Sequence, residues 1–209
     1  VRSLRTQAYR ELLGGGIPEL PETAEEAQTV VNLFNAPAET KPLQIRGDAS
    51  RTNVFTLNTD DRLGDYQYLL FAMHGVMPGE VDRLTQSALI LSDDFLTTAD
   101  VFSLHLNAKL VALSACNTGR GEQVRGEGVI GLTRAFMYAG TPAVAVTLWS
   151  VESQSAKALS IGMFRYLKDG YPPAQALQAS KMRMLRGAEG PDYRHPYYWA
   201  PYVVFGDGL

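Results

Sequence analysis

Along the chain, short unbroken apolar runs alternate with longer stretches in which apolar residues recur every three or four positions. "YQYLLFAMHG", "LVALSACNTG" and "TPAVAVTLW" each open on such a run and predict strands buried on both faces, the first stopping at His74-Gly75. The helical stretches are as distinct. "PETAEEAQTVVNLF" begins with a proline and early acids and sets Ala27, Val30, Val31 and Phe34 at helical spacing. "VIGLTRAFMYAG" predicts a helix ended by Gly140, and Ser155 to Lys168 puts Ala156, Leu159, Met163, Phe164 and Leu167 on one face before Gly170. "PPAQALQASKMRMLR" predicts a further helix with Pro172 and Pro173 at its start, and "TTADVFSLHL" a helix capped by Thr97 or Thr98. Weaker signals predict a short helix over Val1–Leu13 before a triple glycine, a strand in "PLQIRG" and a helix with a loop between Asp48 and Asp65. "ALILSDD" reads as a short strand or arm, and "YYWAPYVVFGD" as a terminal strand. Buried strands alternating with helices predict an α/β fold with a mainly parallel sheet covered on both faces. In such sheets functional groups gather at the carboxyl ends of the strands.

Composition narrows the classes of function. The 209 residues are 45% hydrophobic and 20% charged, ordinary for a globular domain, with a formal net charge of −3. The Lys and Arg residues are scattered, so no basic footprint for phosphates exists and direct nucleic-acid binding is not expected. No apolar stretch is long enough to cross a bilayer, and one cysteine forms no internal disulfide, so no membrane role and a reducing cytoplasm are the expectation. The opening on Val1 suggests a piece of a longer chain.

Two strand ends carry chemistry. "FAMHG" places His74 and Gly75 at the carboxyl edge, and "LSACN" places Cys116, the single cysteine, there too. If these strands are neighbours they lie about 4.8 Å apart, and the two side chains leave equivalent ends. A thiol of pKa about 8.5 becomes a strong nucleophile when a positioned imidazole takes its proton. Gly75 lets a backbone N–H approach a substrate oxygen, and with the Cys116 N–H it makes an oxyanion hole. The same residues also admit plainer roles, Cys116 as a buried core thiol and His74 as a strand-end hydrogen-bonding group. His105 and His195 read as structural. No metal-ligand spacing links these residues, and no metal or cofactor is expected.

The ordered set "FAMHG", "LVALSACNTGRGEQVRGEGVIGLTRAFMYAGTPAVAVTLWSVESQSA" and "HPYYWAPYVVFGD" resembles the CHAT domains, caspase-like domains found beside tetratricopeptide repeats. The resemblance covers Tyr68 to Asp207; the first sixty residues match loosely, through "LPETAEEA". It implies one CHAT domain over 1–209, with 1–22 an N-terminal extension or linker, and the caspase-hemoglobinase α/β sandwich shared with separase. It also implies a cysteine endopeptidase acting on a protein or peptide, with Cys116 as nucleophile and His74 as catalytic histidine, regulated by an upstream helical repeat domain or a partner. Two other classes stay open: a silent scaffold of the same fold, and a thiol acyl-hydrolase on a small substrate. In the resembling families the segment matching "LWSVESQSA" borders the pocket for the residue before the cut, and separase has an aspartate there that selects arginine. Many CHAT relatives carry two acids after the valine, where this chain has Glu152 and Ser153. The implied preference is Arg or Lys, paired with Glu152; the alternative is that Glu152 caps the following helix. The glycine-rich loop Gly119 to Gly128 is expected to be weakly anchored.

Overall fold

Leu110–Leu113 and Ala143–Thr147 are buried at every position, so neither strand has a polar face and both need cover on two sides. A computed structural model supplies that cover. It describes Tyr9 and residues 20–35, 46–82, 84–114, 125–149, 152–190 and 192–208. In chain order the strands are β1 (Tyr68–Phe71), β2 (Gly75–Val76), β3 (Ala88–Ile90), β4 (Phe95–Thr97), β5 (Leu110–Leu113), β6 (Ala143–Thr147) and β7 (Tyr202–Gly206). The helices are α1 (Pro21–Phe34), α2 (Arg51–Thr59), α3 (Thr98–Val101), α4 (Arg125–Tyr138), α5 (Ser153–Lys168), α6 (Pro173–Leu185) and α7 (Pro196–Trp199).

The main sheet has the order β1-β5-β6-β7, parallel except for β7, which pairs antiparallel with β6. Side-chain alternation divides the core. Leu110, Ala112, Ala143 and Ala145 face one side and pack with Val30 of α1, Leu159 and Phe164 of α5 and Leu177 of α6. Val111, Leu113, Val144 and Val146 face the other and pack with Leu57 of α2 and with Leu132 and Phe136 of α4. The predicted α/β class, with a mainly parallel sheet and helices on both faces, is therefore the observed one.

Local chemistry sets the boundaries. Thr97 caps α3: its hydroxyl accepts from the Asp100 N–H at 3.2 Å while the Asp100 carboxylate accepts from the Thr97 N–H at 3.0 Å. After α4 the chain reverses at Gly140, whose φ is +119° and where a Cβ would collide with the Leu106 carbonyl.

Several expectations change. The first strand ends at Phe71 rather than at His74, because the chain crosses into a second, antiparallel sheet of order β2-β3-β4. β4 pairs along its length with β3 across a short hairpin, and three residues, "FLT", are too few to announce a strand by themselves. α3 is only one turn long, and α4 begins four residues before Val129, at Arg125. In "PLQIRG", residues 42–45 lie outside the described residues and Arg46 opens a 3₁₀ turn. The proposed opening helix and triple glycine lie outside them as well, apart from Tyr9. That ring packs edge-on against Phe95 and its hydroxyl donates to the Leu91 carbonyl, while Pro21 and Glu22 already belong to α1.

Candidate active site

The register of β1 on β5 pairs Tyr68 with Leu110 and Phe71 with Leu113, so both strands run out level at one edge of the sheet. His74 follows Phe71 by three residues, and Cys116 follows Leu113 by three. Cys116 lies outside the described residues, as does most of the Gly119–Gly128 loop.

His74 is held by its backbone. Its carbonyl accepts from the Ile90 N–H at 2.9 Å, which fixes the crossing from β1 into the small sheet. The half-buried side chain has its Nδ1 enclosed by protein. Gly75 is buried and stands opposite Leu89. In an antiparallel ladder hydrogen-bonded and non-hydrogen-bonded pairs alternate. With the His74 carbonyl taking the Ile90 N–H, the Gly75–Leu89 pair is of the second kind, and the Gly75 N–H points away from β3.

Glu152 is the N-cap of α5: its carboxylate accepts from the N–H groups of Gln154 at 3.0 Å and Ser155 at 2.8 Å. Ser153 is the first residue of that helix. The capping alternative is thus realised, and a carboxylate with about four lone-pair sites keeps capacity for a further donor. The His195 ring supports backbone, whereas His105 is exposed and is held through its main chain. The His105 N–H donates to Asn58 at 2.7 Å, and the Nδ1 of His195 accepts from the Tyr197 N–H at 3.2 Å, capping α7. Among the described residues, no three His, Cys, Asp or Glu side chains come together as a metal site would require. Nor is any described helix long and apolar enough to cross a membrane.

One group at this edge escaped the sequence reading. Glu26 of α1 is 2% exposed and accepts a hydrogen bond from the Ser114 hydroxyl at 3.2 Å, where β5 runs out. Ser160 of α5 faces the same carboxylate, near enough to favour its charged form but outside hydrogen-bonding geometry. Burial pushes the Glu26 carboxyl up from its ordinary 4.5 to about 7, against the smaller opposing effects of Ser160, Ser114 and Lys157. A signal was available: Glu26, Val30 and Leu33 share one stripe of α1, so an acid stands in an apolar row.

Comparison with known proteins bears on the whole arrangement. The CHAT domain pattern matches residues 7–207. Tetratricopeptide repeat protein 28 of Mus musculus is 32% identical over 119 residues, covering 57% of this chain and 5% of that protein. Its Homo sapiens counterpart is 34% identical over 119 residues, with the same shares. The matched segment therefore spans about 5% of the length of these curated relatives. With both sheets and both strand exits falling inside the matched span, the chain belongs to the CHAT-domain family.

Proposed function

We propose that this domain is a cysteine endopeptidase that cleaves a protein partner through a dyad of Cys116 and His74. The observation that carries the reading is the level register of β1 and β5, which starts both residues from one sheet edge at equal distance along the chain. His74 takes the thiol proton, and the Cys116 sulfur attacks the scissile carbonyl, whose oxygen turns to oxyanion as the tetrahedral carbon forms. The N–H groups of Gly75 and Cys116 stabilise that oxyanion. Collapse breaks the C–N bond, the amine leaves with the proton held by His74, and water then clears the thioester with His74 as base. The direction of the Gly75 N–H, away from β3, suits its part.

Glu152 supplies the preference for Arg or Lys before the cut, with Ser153 beside it. Pairing with a guanidinium or ammonium uses the lone-pair capacity that capping leaves. The natural substrate is a protein reached through a helical repeat region, an association supported by relatives named for tetratricopeptide repeats.

The test is profiling of the purified chain against a peptide library beside Cys116→Ala and His74→Ala. Cleavage after Arg or Lys that both substitutions abolish is the expected result. Equal cleavage by wild type and Cys116→Ala removes the assignment, and an inert wild type beside a folded domain favours a scaffold.

A further inference from the structure

We propose that Glu26 is a positioning residue for the nucleophile, holding the exit of β5 through the hydrogen bond that it accepts from Ser114. The proposal rests on the reading of Cys116 as nucleophile, and Ser114 precedes that residue by two positions.

The placement is a poor one for stability. Glu26 occupies the buried stripe of α1, where Val30 and Leu33 meet the core, and an apolar side chain there would avoid desolvating a carboxyl. Its Oε1 has no hydrogen-bond partner among the described residues. What the carboxyl does gain is one bond, to the hydroxyl at the end of the strand that leads to Cys116. The sheet face beneath it is apolar, with Leu110, Ala112, Ala143 and Ala145. The charged group of α5 whose field reaches it is Lys157, which is already 2.9 Å from Glu25. The remaining acid of α1, Glu22, accepts from Gln154 at 3.3 Å. Ser114 is thus the one donor in hydrogen-bonding geometry with this carboxyl among the described residues, and the Ser160 hydroxyl of α5 lies beside it. A hydroxyl donates more strongly to a carboxylate than to a neutral acid. With burial pushing the Glu26 carboxyl to about 7, the anchor tightens as pH rises through neutrality.

Because the chain has a single cysteine, alkylation by iodoacetamide reads Cys116 alone and needs no peptide cleavage. Rates are measured from about pH 5.5 to 8.5 on the 209-residue chain, with circular dichroism to verify folding. The variants are Glu26→Gln, Glu26→Ala, Ser114→Ala and the double Glu26→Ala/Ser114→Ala. Expected are changes of about fivefold or more in both alanine variants above pH 7, with the double variant no further from wild type than either single. Glu26→Gln, which mimics the neutral acid, matches wild type at pH 6 and departs from it above pH 7. It also carries the test if Glu26→Ala does not fold. Folded variants that react within about twofold of wild type at every pH, or single effects that multiply in the double variant, overturn the proposal. Coupled alkylation in a chain that cleaves no peptide would retire the peptidase reading and leave the positioning role standing. Cleavage with alkylation indifferent to Glu26 would do the reverse.

Discussion

Replacing Glu26 by Gln removes an ionisation that the fold opposes near neutral pH, and the size of the effect follows from the structure. The native carboxyl titrates at about 7 against an ordinary 4.5, because it is buried in the apolar stripe of α1. Between those values the folded protein holds a proton that the unfolded chain has released. Stability from this group is therefore complete below pH 4.5, falls as pH rises, and levels off above 7. At about 1.4 kcal/mol per pH unit, wild type loses about 3 kcal/mol over the window. Gln keeps an acceptor for Ser114 and is near in shape to the neutral acid, so at pH 5 the two proteins lie within about 1 kcal/mol. By pH 8 the variant is the more stable by about 2–3 kcal/mol. Urea unfolding at four pH values gives both curves, and their difference cancels the carboxylates common to both, including Asp93 and Asp100, which are held below the ordinary range and titrate at lower pH. A difference that stays constant from pH 5 to 8 refutes the buried-acid reasoning.

Three further outcomes follow from single residues. Glu152→Gln weakens the N-cap of α5, costing about 1 kcal/mol in thermal or urea unfolding, and lowers kcat/KM for cleavage after Arg by about tenfold while sparing other residues. Thr97→Ala removes one half of the capping box of α3 and destabilises the domain by about 1 kcal/mol, read as a shift of the urea midpoint without change of slope. Gly140→Ala forces a Cβ onto the Leu106 carbonyl at a positive φ, and a loss of more than about 2 kcal/mol, or failure to fold, is expected by the same assay.

The sequence was most readable where one local pattern decides the outcome. α1 matches its predicted span from Pro21 to Phe34, because proline at the start and apolar spacing act within the helix itself. β5 and β6 are legible as unbroken apolar runs for the same reason. Of the small antiparallel sheet only β3 was legible, in "ALI": β2 has two residues and pairs with a segment about a dozen positions on, and β4 has three residues, too few to show a period. The first strand likewise reads on to His74 in the sequence, where the crossing into the small sheet ends it at Phe71. At the site, the histidine and cysteine stand out by residue type and by following two apolar runs, and the register shows that those runs, β1 and β5, are neighbouring strands that end level. Glu26 was missed since acids in the first turns of a helix ordinarily face solvent. On α1 the buried face centres on Glu26 and Val30, while Ala27 and Val31, expected inside, are only half-buried.

The central claim is that His74 activates Cys116 for acyl transfer. Its most direct test is intact-mass measurement after exposing the chain to a peptidyl acyloxymethyl ketone ending in Arg. The account predicts a single adduct on Cys116 in wild type and none in folded His74→Ala; equal adduct formation in the two proteins, or no adduct in wild type, would contradict it.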